Sequence, residues 1–315
     1  MRVKLVAMVF LLLTARVQVS GEEDTSFIFN NGFQSAHLTM DGISEITPNG
    51  LLKPANETKQ EQGHAFYPNP IAFNDSSSFS TTFVFAIRSE YKTLSFHGIV
   101  FVISPAKAFP GAFPAQYFGL FNHNNDGNRT NHVFAVELDT TQNTEFDDIN
   151  NNHVGININS LKSANSTTAG YYVEGSRFEN LSLISGLAMQ VWVDYDGGNK
   201  QISVTLAPIN VNKPKTPLLT LSQDLSQILN NLSYVRFSSG TGPILTSHYV
   251  LGWSFKLNGE AQNLVISELP KLPRLGPRKI SRILRIGLPL LSLCMIFLVT
   301  SLFWYKREKY QEVNC

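Results

Sequence analysis

Between Val133 and Asn159 the chain reads VFAVELDTTQNTEFDDINNNHVGININ, and the side chains in it that can do chemistry are Glu137, Asp139, Asn143, Asp148 and His153. Val133 to Leu138 are β-formers, so Glu137 and Asp139, two residues apart, project from one face at the end of a strand. His153 opens a second strand in which Val154, Ile156 and Ile158 alternate with Gly155, Asn157 and Asn159. Two strands therefore bracket an oxygen-rich loop closed by one imidazole. Hard cations need carboxylate, carbonyl and amide oxygens gathered at about 2.0–2.6 Å. Calcium suits the all-oxygen part of this set, and a histidine beside three carboxylates suits manganese or another first-row divalent ion. A two-metal site is the chemistry this spacing allows.

Three other readings use the same residues. Asp139, Thr141 and Asn143 have the opening spacing of an EF-hand, but Thr144 stands at its sixth position instead of Gly and Asn150 at its twelfth instead of Glu. A strand also precedes the loop where an EF-hand needs a helix. A polar hairpin loop with solvated acids needs nothing more than this composition. A glycosidase needs two carboxylates about 5–9.5 Å apart, which Glu137 with Asp139 or Asp147 could supply, but the histidine and the asparagine have no place in that mechanism. The expectation is a binding protein and not an enzyme, with no catalytic residues.

The elements that must position these groups are short. Ser80–Ala86, Gly98–Ile103, Met189–Tyr195, Gln201–Leu206, Tyr234–Ser238 and Tyr249–Lys256 are rich in Val, Ile, Phe, Tyr and Thr and are punctuated by Asn, Gly, Ser and Pro. Many short strands with turn signals predict an all-β sandwich, with one helical turn or two over Leu221–Leu229. WVDYDGGNKQISVTL predicts a hairpin turning near Asp196–Asn199. Trp192 and Trp253 sit in alternating strands and are read as core. His97, His123, His132 and His248 are read as hydrogen-bonded surface groups.

The flanks carry different signals. Residues 1–21 contain Arg2 and Lys4, an apolar run from Leu5 to Leu13 and a small-residue end at Gly21, which reads as a secretory signal peptide. Six Asn-x-Ser/Thr sequons, at Asn56, Asn74, Asn128, Asn165, Asn180 and Asn231, suit a glycosylated exterior domain. Residues 21–270 hold 13 Lys and Arg against 22 Asp and Glu, a net of −9, which argues against nucleic acid as a partner. The two cysteines, Cys294 and Cys315, lie outside this region, so no disulfide framework is expected in it. Residues 261–285 read as a Pro-containing stalk, and 271–285 contain six basic residues and no acid. Ile286–Tyr305 is uncharged and about 30 Å long as a helix, which predicts a single membrane span followed by a short tail at 306–315. The stalk is more basic than the tail, so charge alone would turn the N-terminal side inward; the signal peptide and sequons instead predict a type I protein of the plasma membrane.

The motifs resemble a known family. FAVELDT, an Asn four positions after the Asp, an Asp before the next strand and HVGI are together similar to the metal-binding signature of the legume-type (L-type) lectins. FIFNNGF at 27–33, HGIVFVISP at 97–105, YFGLF at 117–121 and HYVLGWSF at 248–255 extend the resemblance over residues 22–260. The variants VISP and LGWSFKLNGEAQ most resemble the extracellular lectin domain of plant L-type lectin-domain receptor kinases. The resemblance implies a legume-lectin-like, concanavalin-like jelly-roll β-sandwich, followed here by the single transmembrane α-helix. It implies Glu137, Asp139, Asp148 and His153 around Mn2+, and Asp139, the Thr141 carbonyl, Asn143 and Asp148 around Ca2+. Asn143 would present its amide to a sugar hydroxyl, and Phe146 would offer a stacking surface.

The sequence departs from the family in three places. His97 stands where the family has an Asp that accepts hydrogen bonds from two sugar hydroxyls, and a neutral imidazole cannot copy that acceptor pattern. Thr141 replaces an aromatic residue, and Ala115 and Gln116 stand where glycine is frequent. The partners implied are a glycan or cell-wall ligand, the membrane and a co-receptor kinase, with a homo-oligomer left open; no kinase motif occurs in this chain. The alternative is a lectin-fold scaffold recognising a peptide, a hydrophobic compound or wall material, as an adhesion protein or decoy.

Overall fold

The computed structural model describes residues 25–107, 109–174, 176–274 and 290–304. Two sheets of eight strands face each other, and every strand pairing is antiparallel. The first runs Leu219–Ser222, Gln201–Pro208, Met189–Asp196, Phe79–Ser89, Thr246–Leu257, Leu52–Ala55 and Glu45–Ile46, with Ser26–Phe29 also paired to Thr246–Leu257. The second runs Asn165–Thr168, His153–Ile158, Phe134–Asp139, Ile99–Ser104, Leu232–Gly240, Gln62–Phe66 and Thr39–Gly42, with Ile71–Ala72 also on Leu232–Gly240. The all-β sandwich and the hairpin turning after Asp196 follow the alternation read in the sequence.

Period-two alternation decides what each strand buries. Phe101, Ile103, Val136, Leu138, Val154 and Phe237 point between the sheets and meet Phe83, Val191, Val204 and Trp253 in the main core. Trp253 is fully buried and donates its indole N–H to Thr81 Oγ1 at 3.0 Å, so this tryptophan is packing, as expected. Intervening residues on the second sheet face outward, yet Val100, Val102 and Ala135 are buried there too, beneath Phe118, Leu120, Phe121, Phe146 and Leu161. Connecting loops thus form a third layer over the second sheet.

Of the one or two helical turns expected over Leu221–Leu229, one forms, in its C-terminal half. Leu219–Ser222 is an edge strand paired to Gln201–Val204, and a single 3-10 turn covers Leu225–Gln227, capped by Asp224. Sheet pairing outweighs the weak helical pattern. After Leu257 the chain returns over the first sheet: Asn30 donates to Val265 and Glu268, and Leu264 and Leu269 bury against Leu51, Val84 and Leu251. Residues 261–274, which by composition begin the stalk, are therefore packed on the sandwich.

Residues 290–304 form a helix, about 22 Å at 1.5 Å per residue. No helix among the described residues is long and apolar enough to cross a membrane. The expected span Ile286–Tyr305 lies partly outside the described residues, as do the signal peptide, most of the stalk and the tail.

Candidate functional site

The hairpin Phe134–Asp139 and His153–Ile158 pairs Asp139 with His153 and Glu137 with Gly155. Alternation sends Glu137, Asp139, His153, Gly155 and Asn157 to the outer face, away from the core side chains Val136, Leu138, Val154 and Ile156. Glycine at 155 is required by its neighbours: a Cβ there would lie 2.1 Å from Ser163 Oγ and 2.4 Å from Glu137 Oε1. Glu137 is held across that gap, with Oε1 accepting from Ser163 Oγ at 2.6 Å and Oε2 from Asn157 Nδ2 at 2.7 Å.

Glu137, Asp148 and His153 each offer a ligand atom within 4.8 Å of the others. His153 Nε2 lies 3.4 Å from Glu137 Oε1 and 3.7 Å from Asp148 Oδ1, contacts that are electrostatic and too long for good hydrogen bonds. Its Nδ1 donates to the Asn150 carbonyl at 2.7 Å, so in the neutral ring the lone pair is on Nε2, an atom buried without a hydrogen-bond partner. Asn143 Oδ1 is a second buried, unpartnered acceptor. The loop between them is tight: Thr144–Phe146 form a 3-10 turn, Asp147 takes a left-handed φ of 60°, and Asn143 N donates to Asp148 Oδ2 at 2.6 Å. Asp139 Oδ1 accepts from Thr141 N at 2.9 Å.

The electrostatics are those of a site short of positive charge. Burial, reinforced by Glu137 and Asp148, pushes Asp139 up to about 8. Burial also raises Asp148 to about 6. Burial opposes protonation of His153, but Glu137, Asp139 and Asp148 overcome it and lift the imidazole to about 9. Gathered carboxylates hold protons where a divalent cation would relieve the same repulsion. The donor set fits the expected ions: carboxylates with one imidazole for a first-row metal, and carboxylate and amide oxygens for calcium.

Asn157, Ser163 and the Asn150 carbonyl were not singled out from the sequence. Asn157 shares the parity of Gly155 and Glu137, so alternation carries a signal for it. Ser163 reaches Glu137 only through the folding of the 159–163 loop, and nothing local marks it.

The expected sugar-contacting residues are placed differently. His97 is 4% exposed, takes a φ of 58° and packs edge-on to Phe118, which corrects its reading as a surface group. Burial lowers its pKa to about 4, so the ring is neutral. The His97 backbone N–H donates to Thr141 Oγ1 at 2.6 Å and its carbonyl accepts from Thr140, which ties this strand end to the 139–153 loop. His248 is also fully buried, bonded to Ser239, whereas His123 is exposed and His132 half-buried. Phe146 is 8% exposed and stacks edge-on against Tyr117, so it serves as a wedge under the loop instead of an open platform. Ala115 takes a φ of 56°, a value glycine reaches without steric cost, which explains why glycine suits that position. Three loops nevertheless converge: Gln116 donates to Glu145 at 3.2 Å, and Gly240 packs on the Ala115 backbone.

Residues 24–271 match the family described as the legume lectin domain. The chain belongs to that family. Over 99% of its length it is 52% identical to the L-type lectin-domain containing receptor kinase IV.1 of Arabidopsis thaliana, of which it covers 48%. The chain thus spans about half the length of the curated relatives it matches. Among solved structures, lectin II from Ulex europaeus aligns with a TM-score of 0.63 and 28% identity, and a lectin from Bauhinia forficata in complex with GalNAc with 0.64 and 28%. Each alignment covers 75% of this chain and 99% of that lectin. The sandwich is therefore the legume lectin jelly roll, and it makes up an entire chain in those proteins. The legume lectin domain is not catalytic, and the relatives' aligned portion is their lectin portion. Legume lectins bind Ca2+ and Mn2+, and the acidic and histidine cluster here is the place where a metal could be held.

Proposed function

We propose that this chain is the extracellular carbohydrate-recognition part of a receptor-like protein of the plant plasma membrane, with Ca2+ and Mn2+ organising its binding loop. The observation that carries this reading is the pair of buried, unpartnered ligand atoms, His153 Nε2 and Asn143 Oδ1, beside Glu137 and Asp148. Glu137, Asp139, Asp148 and His153 would hold the transition metal; Asp139, the Thr141 carbonyl, Asn143 and Asp148 would hold calcium. When bound, the ions supply charge that locks the loop. The protein's own part is orientation. The Asn150 carbonyl sets the His153 tautomer, Ser163 and Asn157 fix Glu137, and the turn at Thr144–Phe146 aims the Asn143 side chain.

Five of the six sequon asparagines, Asn74, Asn128, Asn165, Asn180 and Asn231, are exposed and Asn56 is half-buried, which supports glycosylation of a secreted face. The membrane span at 286–305, the type I orientation and signalling through a co-receptor kinase belong to the same proposal. A glycosidase-sensitive mass shift tests the orientation, and an unglycosylated protein accessible only from the cytosol would sink it.

The inward turn of His97 and the burial of Phe146 favour a second reading, the lectin scaffold that recognises peptide, hydrophobic or wall ligands. All strands of the sandwich lie within 25–274 and the fold forms whole chains elsewhere, so secreted residues 22–274 are the material for the decisive experiment. Glycan-array binding and metal content are measured on that fragment and on Asp139→Ala and Asn143→Ala. Calcium-dependent glycan binding lost in both variants supports the lectin reading. Bound metals with no glycan transfer the case to the scaffold reading.

A further inference from the structure

His97 and Gly98 lead into the strand Ile99–Ser104 and press against the chain that opens the 139–153 loop. A Cβ on Gly98 would lie 1.9 Å from the Leu138 carbonyl oxygen and 3.2 Å from Asp139 Cα, so only glycine lets the two backbones come this close. Ser239 Oγ donates to the Gly98 carbonyl at 2.7 Å, which fastens the contact to the strand Leu232–Gly240.

The backbone groups of His97 lie before the ladder begins, and a buried N–H or C=O needs a partner wherever it lies. Two consecutive threonines supply both. The His97 N–H donates to Thr141 Oγ1 at 2.6 Å, and the hydroxyl of the buried Thr140 donates to the His97 carbonyl. The left-handed φ of 58° at His97 is a conformation that a non-glycine residue keeps only where its surroundings hold it. Thr141 N is held in turn by Asp139 Oδ1 at 2.9 Å, while the Thr141 carbonyl accepts no hydrogen bond among the described residues. Thr141 is thus fixed at its N–H and at its hydroxyl, and the backbone acceptor left over is the carbonyl assigned above to calcium.

Resting on that assignment, we propose that Thr140 and Thr141 are positioning residues for calcium: their hydroxyls grip both backbone groups of residue 97 and so set the direction of the Thr141 carbonyl. This role belongs to the threonine side chains and is separate from the carbonyl's own part as a ligand. It makes no use of the His97 ring, so the loop can be held with an imidazole at position 97. The groups assigned to manganese are oriented by other bonds, Glu137 by Ser163 and Asn157 and His153 by the Asn150 carbonyl, which makes manganese an internal control. Valine keeps the shape of threonine without the hydroxyl, and serine keeps the hydroxyl.

The test uses residues 22–274, with calorimetric titration of manganese into the metal-free protein and of calcium into the manganese-loaded protein. The parent is compared with Thr140→Val, Thr141→Val, Thr140→Ser and Thr141→Ser. Each valine variant should bind calcium about 10–100-fold more weakly and manganese within about threefold of the parent, and each serine variant should return calcium to within about threefold. Hydrogen exchange at the His97 amide of the metal-free protein should speed up by roughly 2–10-fold in Thr141→Val and not in Thr141→Ser. Thr141 is half-buried, so Thr141→Val decides the case even where the buried Thr140→Val does not fold. Calcium affinity unchanged in Thr141→Val overturns the proposal, as does an equal loss for the two metals or a loss that serine does not restore. A parent that binds manganese and no calcium overturns the calcium reading itself and this inference with it, so the two failures are told apart.

Discussion

Glycine at 155 and the protons of the acidic cluster govern the site one side chain at a time. Gly155→Ala would drive a methyl into Ser163 Oγ and Glu137 Oε1, so Glu137 loses the serine that orients it. We expect about 1–3 kcal/mol of lost stability in urea unfolding and a 10–100-fold weaker metal affinity by titration calorimetry. Asp139, Asp148 and His153 all have pKa values above their unfolded values, so the metal-free native state binds more protons than the unfolded chain. Their contribution to stability is fully present at about pH 4 and is lost as pH rises, through about 6 for Asp148, 8 for Asp139 and 9 for His153. Melts in the presence of a chelator should therefore show a declining contribution from this cluster between pH 4 and 9. Melts with calcium and manganese should gain progressively over chelator in the same window, because metal binding needs the deprotonated ligands. A metal-dependent gain that shrinks with rising pH would contradict this.

At the level of elements, the 139–153 loop is shaped by what lies beneath it. Phe146 is the wedge between the loop and Tyr117, and Val100, Val102 and Ala135 form the floor. Phe146→Ala should cost about 3 kcal/mol through the cavity it leaves. It should also weaken calcium binding more than manganese binding, since Asn143 begins the turn that Phe146 ends. Equal weakening would place the effect in global stability. The C-terminal return is the second such element: Leu264 and Leu269 cover Leu51, Val84 and Leu251. Ending the fragment at residue 262 in place of 274 should lower stability by roughly 3–5 kcal/mol, two buried leucines' worth, in urea unfolding. Matching midpoints for the two fragments would show that the return is only loosely seated.

For the molecule as a whole, the sandwich has no cysteine within residues 25–274 and is stabilised without disulfides, and the loop proposed to hold the ions lies at its edge. Each bound ion at a hundredfold over its dissociation constant adds about 2.7 kcal/mol by mass action, or roughly 5–10 °C per ion for a domain of this size. Chelation should therefore lower the Tm of the secreted fragment by that amount for each ion removed without unfolding it at room temperature, as followed by calorimetry. Far-ultraviolet circular dichroism that collapses on chelation would mean that the fold itself depends on the ions. The loops 113–121, 140–152 and 240–246 meet above one sheet, and none of them contributes to the main core.

The strands were legible in the sequence because alternation is local, and the same alternation puts Glu137 and Asp139 on one face, with His153 and Gly155 opposite them. Single-strand reasoning also located the hairpin at Asp196 and the packing role of Trp253. It failed where burial is set by a distant partner. Leu221 became part of an edge strand because Ile202 offered a hydrogen-bonding partner. The His97 ring turned inward because Phe118 received it, and Phe146 was covered by Tyr117. Arg236 looks like an ordinary outward residue of a half-exposed strand, and only the approach of Phe109, more than a hundred residues earlier in the chain, seals it from water. The sequence by itself determined which atoms can bind a cation, since ligand chemistry is a property of side chains at fixed spacing. Tertiary structure decided which of the remaining polar groups meet solvent, because that depends on which loop lies over which face.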